Sequence, residues 1–152
     1  MAGLIGYATW PAANINANTL TVMQLVAPTN QRLRILGYEV SFDGTNSANA
    51  PAVVVIERQT GGTFTNSAVT PKKVNDPSGS LETLQASTKN TQTVAPTSGD
   101  TLHQFNLPVF GGTLVYPLPP GQEDMVTGGT IIGVKVTTTA QVNCNGGIRY
   151  EE

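Results

Sequence analysis

Ten carboxylates, one histidine and one cysteine are the side chains with which this chain could do acid–base, nucleophilic or metal chemistry. Glu39 and Glu57 are the pair to weigh first, because they fall in neighbouring strand-like segments. Glycoside hydrolysis needs two carboxyls facing each other across a cleft. Each of these two alternates with apolar neighbours, however, and so reads as outward-facing. Aromatic residues that would stack a sugar make up only 6% of the chain. Asp43 is followed by Gly44 at the end of a strand-like run. Asp-Gly there is a turn signature, the carboxylate bonding backbone amides and glycine supplying positive φ. Asp76-Pro77-Ser78-Gly79 and Ser98-Gly99-Asp100 read as turns in the same way.

His103 is the only histidine, so no multi-histidine metal set exists within one chain. It lies in phase with Phe105 and Leu107, which predicts a partly buried histidine with a structural partner. Cys144 stands alone, which excludes an intramolecular disulfide and a cysteine zinc set. In a late strand it reads as a small buried residue. No nucleophile elbow marks a serine. The paired glycines at 61-62, 111-112, 128-129 and 146-147 precede no helix, so they read as hairpin turns rather than phosphate loops. The residues call for no metal, cofactor or catalytic group.

The elements that would carry these residues are strands. Thr19–Pro28 is the first clear candidate. In "RLRILGYEVSFDGT", Leu33 and Ile35 share a face with Gly37, and the apolar set then shifts to Tyr38, Val40 and Phe42. That change of phase predicts a bulge at Gly37. Pro51–Gln59 is a β-branched run of a buried strand, and 63–69 a shorter one. Residues 70–101 are polar and turn-rich, predicting long loops with one or two short strands and a marginal helix over 79–87 that Ser80 would cap. Thr101–Val109 alternates, 111–124 suits an edge strand because of Pro117, Pro119 and Pro120, and Gly129–Thr139 is a strong strand. The last strand, from Ala140, reads as interrupted at Asn145-Gly146-Gly147. About eight short strands joined by Gly/Pro turns predict an all-β antiparallel fold, a β-sandwich or barrel.

Composition points the same way. Charged residues are 12% and apolar ones 39%, with 16 Gly and 10 Pro, too few helix formers for a helical domain. The 152 residues suit a single domain with its own core. Net charge is −2 and Lys72-Lys73 is the only adjacent basic pair, which argues against nucleic acid. The N-terminus lacks a positive n-region, and no apolar run approaches the roughly 20 residues that span a bilayer. Synthesis in the cytoplasm, without a membrane partner, is expected. Residues 1–18 follow neither strand nor helix period, yet hold Leu4, Ile5, Tyr7 and Trp10. We expect an extended N-terminal arm lying against its own domain or a neighbouring subunit, with those four as interface anchors, ahead of a sandwich domain at 19–152.

The stretch "RILGYEVSFDGTNSANAPAVVVIERQTGGT", then "APTSGD", "PPGQ", "GTIIGVKVTTTAQVN" and a terminal "YEE", resembles small virion proteins of tailed bacteriophages over residues 19–152. The resemblance implies a jelly-roll-like sandwich and a capsid decoration (cement) or minor head protein on the capsid exterior. It implies major capsid protein and further copies of the chain as partners, most simply as a homotrimer. It carries over no catalytic residue, so a non-enzyme is expected. The alternative is a carbohydrate- or receptor-binding β-sandwich of a head fibre or tail.

Overall fold

The computed structural model describes residues 3–16, 18–43, 50–74 and 83–152, those at 67–69 by backbone only. It is all-β. The strands are β1 (Ile5–Asn16), β2 (Thr19–Val26), β3 (Leu33–Phe42), β4 (Ala52–Thr60), β5 (Thr63–Val69), β6 (Lys72–Lys73), β7 (Ser87–Val94), β8 (Thr97–Leu107), β9 (Thr113–Pro117), β10 (Asp124–Val126), β11 (Ile131–Thr137) and β12 (Gln141–Glu151).

Every pairing is antiparallel, and the pairings nest: β1 with β12, β2 with β11, β3 with both β9 and β10, β4 with β8, β5 with β7. Rolled up, this long ribbon gives two six-stranded sheets. The first runs β10-β3-β12-β1-β6, with β9 on the same edge of β3 as β10. The second runs β5-β7-β2-β11-β4-β8. Omitting the short additions, the orders are those of a jelly roll, first strand beside last in one sheet, second beside second-last in the other. The expected fold class is therefore what the chain adopts.

Strand-by-strand alternation explains the core. Leu33 and Ile35 point inward; Leu36 is then an extra residue opposite the Arg149/Tyr150 step of β12, and Tyr38, Val40 and Phe42 take over the inner face. The phase change expected at Gly37 is this bulge. Val54 and Ile56 on β4, and Ile132, Val134 and Val136 on β11, meet that set from the second sheet. Each such side chain removed from water contributes about 1.5–3 kcal/mol.

Three expectations need correction. The described part of the expected arm, 3–16, is not separate: β1 sits inside the first sheet, between β12 and β6. Gly6, Ala8 and Trp10 form its inner face, and the small size of Gly6 and Ala8 hides the alternation. Gly146-Gly147 is no turn either, since β12 runs through it, paired with Thr9 and Trp10 on one side and Glu39 and Val40 on the other. The glycines are there for space. A Cβ on Gly146 would strike the Glu39 carbonyl oxygen and the Trp10 ring, and one on Gly147 would lie 2.6 Å from the Tyr7 ring. Finally, residues 83–86 are irregular and β7 starts at Ser87, so the end of the expected helix is strand, while Ser80 and Glu82 lie outside the described residues.

Candidate functional site

The two candidate acids point away from each other. Glu39 is on the outer face of the first sheet, between inward Tyr38 and Val40; Glu57 is on the outer face of the second, beside inward Ile56. No cleft lies between them, and the paired-carboxylate geometry of glycoside hydrolysis is not formed by this pair.

Glu57 is nonetheless buried, 1% exposed, because the ribbon of β4 and β8 continues into β5 and β7 and bends back at Gly61-Gly62, both at positive φ. That bend brings β7 alongside β2 and roofs the outer face. Beneath it, Glu57 accepts hydrogen bonds from Lys135 Nζ (2.6 Å), Ser98 Oγ (2.6 Å) and Gln59 Nε2 (2.9 Å). Gln59 Nε2 also donates to Thr21 Oγ1, and its Oε1 accepts from Gln24 Nε2. Burial alone would raise the Glu57 pKa; the bonds from Gln59, Lys135 and Ser98 outweigh it and hold the carboxyl below its ordinary value. Gly133 leaves the well in which the Gln59 amide lies.

His103 is partly buried and partnered, as its phase implied. Its Nε2 lies 2.8 Å from Asp124 Oδ2, which also accepts from the Tyr38 hydroxyl at 2.8 Å. The Tyr116 and Phe105 rings pack around the imidazole. His103 and Phe105 are on the last strand of the second sheet, Asp124 and Tyr116 on the edge strands of the first, so the group clasps one open flank of the sandwich. Burial and the Asp124 carboxylate drive the Tyr38 pKa well above its ordinary value. Cys144 is buried, and burial pushes its thiol up to about 12. That leaves no thiolate for nucleophilic work. Asp43 accepts from the Asn143 amide, and its backbone N–H donates to the Asn143 carbonyl, so it ties β3 to β12 as it leaves the sheet. Its partner in the expected turn, Gly44, lies outside the described residues.

Of the four expected interface anchors, the domain keeps two for itself. Trp10 is 3% exposed within the core, and Leu4 packs against the core. Ile5 and Tyr7 alternate with them on the outer side of β1 and are half-buried. Tyr7 lies across Gly147 and donates its hydroxyl to Glu39 Oε2 at 2.8 Å, with the Arg149 guanidinium 6.0 Å from its ring centre. Burial, then the Glu39 hydrogen bond, pushes the Tyr7 hydroxyl up to about 12. Beside Tyr7 the outer face opens into a cleft of about 330 Å³, lined by Thr9, Glu39, Ser41, Thr113, Val115 and Asn145 among others. Residue reasoning missed this grouping. Its signal was faint: Asn145 directly ahead of a glycine pair, which reads as a turn until β1 is known to lie beside it.

Among the described residues no cluster of three or more His, Cys, Asp or Glu side chains could hold a metal ion, and no helix is long and apolar enough to cross a membrane. No family model matches the chain, and neither a curated protein nor a solved structure matches it.

Proposed function

We propose that this chain is a structural protein of a tailed-phage virion, which decorates the capsid exterior and stabilises it by bridging subunits of the major capsid protein, most simply as a homotrimer. The observation that carries the reading is how its chemistry-bearing groups are used. Glu39, Asp43, Glu57, Asp124, Glu151 and Glu152 all serve as hydrogen-bond or ion-pair acceptors that fasten one strand or sheet to another. The terminal "YEE" of the resemblance is an instance. Tyr150 fills the core, Glu151 pairs with Arg34 at 2.6 Å, and Glu152 accepts from the backbone N–H groups of Gln85 and Ala86. A cement protein requires a rigid body of this kind with a polar, weakly charged surface, because its work is to hold geometry under load. The jelly-roll topology also supports the reading, since capsid proteins are among its users.

The test is reconstitution. Heads assembled without this chain are mixed with the purified protein, and occupancy is read by sedimentation and cryo-electron microscopy. Saturable binding at a fixed ratio to the major capsid protein, with a raised head-disruption temperature, is the expected result. Absence of this chain from purified virions, or no binding to naked heads, overturns the proposal.

A further inference from the structure

We propose that the cleft beside Tyr7 on the outer face of the first sheet is a binding subsite for a neutral saccharide. The residues around it supply what a pyranose ring requires. One requirement is an aromatic face for the apolar C–H side of the sugar. The Tyr7 ring is fixed from beneath by Gly147 and at its hydroxyl by Glu39, so it enters the cleft wall already oriented. Little rotamer freedom is left to lose on binding.

The other requirement is a set of donors and acceptors for vicinal hydroxyls, each of which both gives and takes a hydrogen bond. Glu39 bonds Tyr7 through Oε2, leaving Oε1 as an acceptor on the cleft wall. Asn145 receives Ser41 Oγ at its Oδ1, leaving the Nδ2 donors. Thr9 on β1 and Thr113 on β9 line its opposite sides. A volume of about 330 Å³ accommodates one or two sugar rings. A smaller hollow of about 80 Å³ beside Leu36 and Arg149 shares Glu39 and Val115 with it, continuing the path for a further substituent.

The carboxylate sets the ligand class. The lining of the main cleft includes Glu39 and neither Lys nor Arg, Arg149 lining only the smaller hollow, so a neutral hexopyranoside offers hydroxyls to the carboxylate and gains a charge-assisted bond where an acidic sugar would meet like charge. The wells that make the platform are glycines on β12, at a spacing that puts Tyr7 over one and Trp10 behind the other.

The experiment is ligand-observed NMR on the full chain with a panel of neutral and acidic mono- and disaccharides, backed by a glycan array. Saturation transfer to a neutral pyranoside, a dissociation constant raised about tenfold or more by Tyr7→Ala and by Asn145→Ala, and no response to acidic sugars are expected. If Tyr7→Ala melts early, Asn145→Ala, at an exposed position, carries the test alone. No binding of any neutral saccharide at millimolar concentration overturns the proposal, as does binding that both substitutions leave unchanged. Attachment to heads is measured on the same variants, and its outcome bears on the virion reading alone.

Discussion

Glu57 has 2.6 Å contacts to Lys135 and Ser98 in a setting almost sealed from water. Lys135 reaches it from the surface, 23% exposed, and removing that cation leaves a buried carboxylate held only by Gln59 and Ser98, at about 1–3 kcal/mol. Lys135→Ala should therefore destabilise, read as a lower denaturation midpoint at pH 7. The folded Glu57 pKa lies below its unfolded value, so its contribution is complete above the unfolded value, near about 4.3, and fades as pH falls through the folded one. Glu57→Gln should be less stable at neutral pH and should flatten the loss of stability below about pH 4; an acid limb as steep as the wild type's would count against it. Cys144, with its thiol pushed up to about 12, should resist iodoacetamide in the native protein and react only on unfolding. Rapid native labelling, followed by mass spectrometry, would contradict its burial. Residue pattern conveyed which face Glu57 occupies. It did not convey that the face is roofed, because the roof depends on β7, which begins 30 residues downstream at Ser87, meeting β2.

At the scale of elements, most of the sheet was legible. The bulge in β3, the buried run of β4 and the alternation of β11 each follow from side-chain period alone. β1 was not legible, for a physical reason: Gly6 and Ala8 occupy inward positions where the space is taken by neighbours such as Tyr150, and Pro11 sits at a bulge between Trp10 and Ala13. Small residues bury as completely as large ones but leave no hydrophobic signal. The same reasoning separates the two glycines of β12. Gly146→Ala drives a methyl into a backbone carbonyl of β3 and the Trp10 ring, neither free to retreat, and should cost about 3 kcal/mol. Gly147→Ala meets only the Tyr7 ring, a half-buried side chain that a methyl displaces at the loss of its Glu39 hydrogen bond, and should cost about 1 kcal/mol. Urea titrations of the two variants check the order; equal losses would mean that Tyr7 is as fixed as the backbone.

Across the whole molecule, the nested pairing makes β1 part of the body rather than an appendage. Deleting residues 1–16 leaves β12 unpaired along one edge and strips Ala8, Trp10 and Ile15 from the core. Truncating a buried tryptophan alone costs about 3–5 kcal/mol, a large part of the roughly 5–15 kcal/mol that holds a domain folded. The truncated chain should be insoluble or unfolded by circular dichroism. A folded 17–152 fragment would show that the first sheet tolerates the loss. The all-β class was legible from strand count and turns, but the closing of first strand upon last was not, because no local pattern records which distant strands will meet.

That closure also orders events during synthesis. β1 leaves the ribosome ahead of the other described strands, and the strand it pairs with along most of its length, β12, follows all of them. At about 5–20 residues per second, the wait is on the order of ten seconds. Through that interval Trp10 and Ile15 have no β12 to cover them, while the inner pairs β4 with β8 and β5 with β7 can already close. The nascent chain is thus most exposed to chaperones and to misassociation at β1, and its first sheet is completed only once β12 has emerged.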